Sequence, residues 1–445
     1  MKYLKQHIKE TLSLAIPVSI GQFGHILMGI VDSLMVGRLG AEPLAAAALV
    51  NGLFFLVLVL GIGMSLALTP LAAIAKGSSK IEECSEILKS GFYVNFVFAI
   101  LLGILIFFGA DLIKYLDQTP EVTRLAISYL KILSLSVIPF LVFQIFRQFI
   151  EGLSFVRPPM IIAIAANVFN AFFNWVLIFG NLGFEPMGLD GAGIATTTTR
   201  SIMAAVLMFY VMKSSHLKIY TSIKNYFSVD FKLIKKLLKI GLPSGFQYFL
   251  EVASFAYAAI MIGWLGANQL AAHQIAINLA SATYMIILGI SSAGMIRVAS
   301  AVGRKDIKET RRSGFTAMIV AMSIMIFFGI MFITLKNLLP KFYIEDTQVI
   351  ELASSLLLIA AIFQIFDGMQ ATAIGILRGI KDVNFPLVLS FLGYWIVGIG
   401  SAYIFGFILD MKAFGVWIGL AMALMAVGVT LTLRFNFKSR SVIED

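Results

Sequence analysis

The chain has 445 residues, of which 59% are hydrophobic and 13% charged, and its mean hydropathy is +0.93. A soluble domain carries about 25% charged residues, so water is excluded as the main solvent and no soluble catalytic module is expected. A formal charge of +10 invites a nucleic-acid reading, but Lys and Arg gather in alternate loops rather than in one stripe, and the excess reports membrane topology instead.

The N-terminus, Met1 to Glu10 followed by an apolar run to Val36, lacks a short apolar core with a nearby small-residue cleavage site and reads as a retained first helix. Apolar runs long enough to cross a bilayer then recur between charge or Gly/Pro breaks. They predict helices at 11–36, 44–75, 90–110, 123–146, 159–180, 191–212, 241–264, 270–300, 313–335, 350–376, 386–408 and 414–434, an all-α membrane protein of twelve transmembrane helices. Lone Cys84 excludes an internal disulfide and a Cys-based metal cluster.

With both termini cytoplasmic, the inner segments hold 26 of the 34 basic residues, including the loop from Lys213 to Lys239 and the cluster from Arg297 to Arg312. The outer loops keep Arg38, Lys114, Arg124, Lys336, Lys341 and Lys412, and Lys131 and Arg200 fall within helices. This bias supports an even number of helices with both ends inside.

The two halves resemble one another. Pro17, Gly40, Leu44 and Gly63 match Pro243, Gly266, Leu270 and Gly289 at one offset of 226, and Glu151 to Pro159 echoes Arg378 to Pro386 at nearly the same offset. Six helices per half make the repeat parallel, with a pseudo-two-fold axis along the membrane normal. The expected organisation is a six-helix lobe at 1–212, a basic cytoplasmic linker at 213–239 and a second six-helix lobe at 240–445.

Few acids lie at membrane depth: Asp32, Glu251 and Asp367. A carboxylate in hydrocarbon is costly unless it faces a wet cavity or binds a cation, so these three are the candidates for cation coupling, including a Na+ site. The plainer reading is a structural carboxylate satisfied by a nearby hydroxyl or backbone group. Asn167, Asn170 and Asn174 share one face of the fifth helix and Thr196 to Thr199 add hydroxyls in the sixth; they suit either a cation and carboxylate site or interhelical hydrogen bonding. Gln274 offers another oxygen near the Glu251 and Asp367 pair, which together would hold a proton or a monovalent cation. Pro17 and Pro243 lie in the matching first helices of the halves, where a kink serves either alternating access or a static bend. His25 and His273 read chiefly as packing or polar contacts, and no DDxxD, HExxH or CxxC pattern within a helix supports an enzyme.

Several segments together resemble the multidrug and toxic compound extrusion (MATE) family, in its NorM-like branch. They are LAIPVSI with GIVDSLMVGRLG and LAAAALV, then ANVFNAFFNWVLIFG with GLDGAGIATTTT, GLPSGFQYFLEVASF with LGANQLAAHQIAIN, and FQIFDGMQATAIGILRG. The resemblance implies two lobes in a V and export of cationic lipophilic compounds in exchange for Na+ or H+, with no other cofactor. A multi-pass protein of the inner membrane, functional as a monomer, is what it implies for location and assembly. It assigns Asp32, with Asn170, Asn174 and Thr196, to a cation and substrate site in the first lobe, and Glu251 and Asp367 to a cation site in the second. Phe363 stands where some relatives have Tyr one turn before the helix 10 Asp, and its ring offers a cation only its face. The alternative within the same superfamily is a lipid or lipid-linked oligosaccharide flippase.

Overall fold

The computed structural model describes residues 2–222 and 230–441. Of the stretch read as a linker, residues 223–229 lie outside the described residues. Every regular element among the described residues is helical, and twelve helices are long and apolar enough to span a bilayer: α1 (Leu4–Gly37), α2 (Ala41–Gly77), α3 (Ile81–Tyr115), α4 (Pro120–Gly152), α5 (Arg157–Phe179), α6 (Gly188–Lys213), α7 (Phe231–Trp264), α8 (Ala267–Gly303), α9 (Ile307–Leu335), α10 (Thr347–Gly379), α11 (Asn384–Ile408) and α12 (Lys412–Lys438). The expected twelve are all present.

Helix ends follow local chemistry. Thr119 caps α4 ahead of Pro120, whose missing N–H falls where no intrahelical partner exists. Asp306 and Asp346 accept hydrogen bonds from the first free N–H groups of α9 and α10. Gly180, at φ 74°, ends α5 in the left-handed conformation that glycine adopts without strain.

The largest boundary difference is at α7, which begins at Phe231 rather than near 241. Leu233, Leu237 and Ile240 recur at i, i+4 and i+7 and are buried, while Lys232, Lys235, Lys236 and Lys239 stay exposed. The lysines mask the helix in a hydropathy reading, yet they form only its polar face.

The described chain divides into two compact units, one of residues 1–19 with 246–445 and the other of residues 20–245. The changeovers fall inside α1 and α7, two residues beyond Pro17 and Pro243, and not in the 213–239 stretch. They obey the repeat, since 19 plus 226 is 245. Both prolines lie inside continuous helices.

The packing within each unit explains the exchange. In the first unit, Gly289 of α8 lies against Ala15 and Ser19 of α1, and Ser19 Oγ donates to the Ile286 carbonyl at 3.1 Å. In the second, Gly63 of α2 lies against Gly245 of α7, and a Cβ at Gly241 would meet Met64. Gly63 and Gly289 are repeat partners, so the same glycine-mediated crossing is built twice. A methyl at Gly63 would overlap the backbone of Gly245, which cannot move aside as a flexible side chain can. Gly63→Ala is therefore expected to cost about 1–3 kcal/mol, read as a lower melting temperature of the purified protein. Gly29→Ala, with nothing within 4 Å of its Cβ, should be silent by comparison.

Candidate functional site

In the unit of residues 20–245, Asp32 of α1 is buried and bound from two helices. Asn174 Nδ2 of α5 donates to its Oδ1 at 2.5 Å, and Thr196 Oγ1 of α6 donates to its Oδ2 at 3.1 Å. Asn170 and Asn174 are one turn apart on one face of α5, and Asn174 Nδ2 also donates to Asn170 Oδ1 at 3.2 Å. Asn170, Asn174 and Thr196 thus gather around the carboxylate. Asn167 does not join them, because its amide donates to the Ala163 carbonyl of its own helix.

The donors do not exhaust this site. Asn170 Nδ2, Asn174 Oδ1 and Thr199 Oγ1 are buried without a hydrogen-bond partner, and a buried polar group left unpaired is costly. Arg200 of α6 adds a positive charge whose field reaches Asp32. Its Nη1 donates to Ser136 Oγ at 2.7 Å, and its guanidinium lies over the rings of Phe54 and Phe140 at 5.3 and 4.9 Å. Lys131 of α4 pairs with Asp111 at 2.9 Å.

His25 belongs to a different cluster in the same unit. Its ring meets Phe140 and Phe143 edge-on, and its Nε2 lies 3.3 Å from Arg147 Nη1, while Arg147 Nε donates to Glu151 at 2.7 Å. The polar and packing reading of this histidine fits these contacts. It holds also for His273, which accepts from Trp417 Nε1 at 3.1 Å.

In the other unit, Glu251 of α7 and Asp367 of α10 are both buried and close enough to interact electrostatically. Gln247, one turn earlier on α7, donates to Glu251 Oε2 at 2.9 Å, and Tyr284 of α8 donates to Oε1 at 3.3 Å. Both Glu251 oxygens therefore accept a donor, whereas Asp367 receives no hydrogen bond from the described residues. Gln370, one turn beyond Asp367, lies beside Glu251 and Tyr394 without reaching hydrogen-bond geometry. Tyr394 comes from a π-helical turn of α11, Phe391–Gly398, and its hydroxyl is likewise buried without a partner. Such turns recur at functional sites because the extra residue re-aims a side chain.

Phe363, one turn before Asp367, is buried in an aromatic cluster with Phe255 and Trp417, at centroid distances of 6.0 and 5.2 Å. Gln274 does not join the Glu251 and Asp367 pair, since it is exposed on α8 and donates to Asn278 Oδ1 at 3.0 Å. Its neighbour His273 occupies the inward face of that turn. Oxygen donors in both units suit a hard cation. His7, Glu10 and Glu309 also converge, but Arg297 stands among them, with Nη2 at 2.8 Å from Glu10 and 2.7 Å from His7 Nδ1.

Sequence reasoning missed Gln247, Tyr284, Gln370 and Tyr394. Gln247 and Gln370 carried a usable signal, lying four residues before Glu251 and three after Asp367 on the same helix faces. Tyr284 and Tyr394 are brought in by tertiary packing and carried none.

The sequence profile of the MatE family matches residues 17–176 and again 243–404, the second match beginning 226 residues after the first. A probable multidrug resistance protein NorM of Mesorhizobium japonicum is 34% identical over 443 residues, covering 98% of this chain and 95% of the relative. The multidrug resistance protein MdtK of Yersinia pseudotuberculosis is 30% identical over 98% of this chain and 96% of its own length. Among solved structures, a eukaryotic MATE transporter shares the fold at 22% identity, with a TM-score of 0.89 over 99% of both chains. The doubled profile match, the twelve spans and the full-length relatives agree, and this multi-pass membrane protein belongs to the MatE family.

Proposed function

We propose that the protein is a secondary antiporter that exports cationic lipophilic drugs or toxic metabolites across the inner membrane in exchange for Na+ or H+. The observation that carries this reading is a buried carboxylate centre in each unit, Asp32 in one and Glu251 with Asp367 in the other. The multidrug resistance names of relatives along nearly the whole chain support it. The repeat supports lobes at 1–212 and 240–445 joined by 213–239, and the loop charges support cytoplasmic termini. One chain contains both halves and works as a monomer.

Coupling follows from competition for charge. A drug cation held near a carboxylate is released more readily once a proton or Na+ has neutralised that carboxylate. This drives transport only if the ion and the drug bind the inward-facing and outward-facing states with different affinities. Asp32 is suited to hold drug or ion because Asn174 and Thr196 orient it while Asn174 Oδ1 remains free. Phe363 and its aromatic neighbours belong to the other unit. A lipid-linked sugar flippase would favour uncompensated bases in the membrane, but Arg147 is paired with Glu151 and Arg200 stands near Asp32.

The test is efflux of a fluorescent cationic dye from proteoliposomes under an imposed Na+ gradient and, separately, a pH gradient. One gradient should drive efflux, and Asp32→Asn should remove it. No response to either gradient across several cationic dyes would sink the antiport reading.

A further inference from the structure

The first turns of α7 carry charge that no neighbouring residue in the sequence answers. Lys232, Lys235, Lys236 and Lys239 are exposed, and none of them forms an ion pair among the described residues. From Lys213 to Lys239 the sequence holds seven lysines and one acid, Asp230. That carboxylate is already engaged, since its Oδ1 accepts from the backbone N–H groups of Lys232 and Leu233 at the start of the helix. The next acid along the chain, Glu251, is buried. The counter-charge for the four amines must come from outside this stretch.

The apolar residues of the same turns locate that charge. Leu233, Leu237 and Ile240 face the protein, but Phe231, Leu238 and Leu242 are 78%, 36% and 37% exposed. At about 100° per residue these three fall within about 40° of one another, and the four lysines occupy roughly the next 100° of the helix. A strip of exposed apolar side chains therefore runs beside a strip of amines. The 34 residues of α7 are about 51 Å long, roughly 20 Å more than a hydrocarbon core. Exposed Trp264 at the far end suits the opposite interface, so the surplus length falls at the Phe231 end, at the depth of the headgroups. Hydrocarbon would not admit four lysines. The boundary between headgroups and acyl chains takes both strips, with the apolar groups among the acyl carbons and the amines reaching the phosphates.

We propose that this face of α7, from Phe231 to Leu242, is a binding surface for anionic phospholipid of the surrounding bilayer. Lys232, Lys235, Lys236 and Lys239 hold the headgroup phosphates, and Phe231, Leu238 and Leu242 lie against the acyl chains. A zwitterionic lipid brings no net charge to the amines, which is why the surface selects an anionic one. The proposal stands independently of what the protein exports and of the ion that drives it.

The experiment is thermal unfolding of the full chain in phosphatidylcholine nanodiscs in which phosphatidylglycerol replaces an increasing fraction of the lipid. A ligand that binds only the folded state raises the melting temperature. The wild type should melt higher as phosphatidylglycerol increases, and the rise should shrink when salt is raised tenfold. A basic side chain near an anionic surface is worth about fivefold in binding. Lys236→Gln alone should therefore trim the rise, and Lys232→Gln, Lys235→Gln, Lys236→Gln and Lys239→Gln together should remove most of it. Melting of that fourfold variant in pure phosphatidylcholine should be unchanged, because no ion pair is lost. The four corresponding Lys→Arg changes should retain the rise. Lys308→Gln with Arg312→Gln, exposed bases of α9, should retain it too. An equal loss in that control pair would overturn the surface, since the response would then belong to net charge. So would a wild type that melts alike at every phosphatidylglycerol fraction, or a fourfold Gln variant that keeps the full rise.

Discussion

Asp367→Asn should reduce dye efflux and drug resistance to the level of vesicles and cells without the transporter, while the protein still accumulates in the membrane. The substitution keeps the shape of the side chain and removes its charge. Stability should hold or rise, because the wild-type carboxylate is buried beside Glu251, a second acid, with no hydrogen bond from the described residues. Burying a charge without a partner is unfavourable, and a site that tolerates it does so for function. Asp32→Asn provides the contrast. Asp32 accepts from Asn174 and Thr196, and an asparagine there would keep one acceptor but turn an N–H towards one of those donors. It should lose export and also some melting temperature. Full efflux in Asp367→Asn would remove that residue from the coupling role, whatever its effect on stability.

The membrane architecture was legible because its signals are long and additive. Some twenty apolar residues per helix survive local exceptions. The start of α7 was not legible, since its four lysines outweigh Leu233, Leu237 and Ile240 in a hydropathy window even though the helical face is intact. The exchange of α1 and α7 between units was also hidden. Pro17 and Pro243 mark the place, but a proline in a helix says only that a backbone bond is missing and not which neighbour the helix then meets.

The candidate site shows the same division. Asp32, Glu251 and Asp367 stand out because a carboxylate among apolar residues has few explanations. Asn170 and Asn174 followed from their helical spacing. Asn167 has the same spacing yet turns to its own backbone, a choice that local pattern does not decide. Gln274 was placed one residue off the inward face, where His273 is found. Tyr284 and Tyr394 lie 33 and 143 residues beyond Glu251 in a sequence containing 13 tyrosines, so only the fold selects them.

Breaking the Arg147–Glu151 pair should give the largest loss of stability of any single substitution named here. Arg147 and Glu151 side chains are 4% and 3% exposed, with Nε donating to Oε1 at 2.7 Å. Arg147→Met would leave the Glu151 carboxylate buried without its partner and would take from His25 the group 3.3 Å from its Nε2. Such a change costs about 3–5 kcal/mol, enough to lower the melting temperature steeply and reduce the folded yield. The double variant Arg147→Met with Glu151→Leu removes both charges together and should recover most of that loss, since the expense lies in the stranded charge more than in the missing bond. The cycle of four proteins separates two roles for the pair. If the double variant recovers stability and also exports dye at the wild-type rate, the pair is structural. If it is stable but inactive, the cluster of His25, Arg147 and Glu151 takes part in the transport cycle, and the unit that holds Asp32 contains a second charged centre that transport requires.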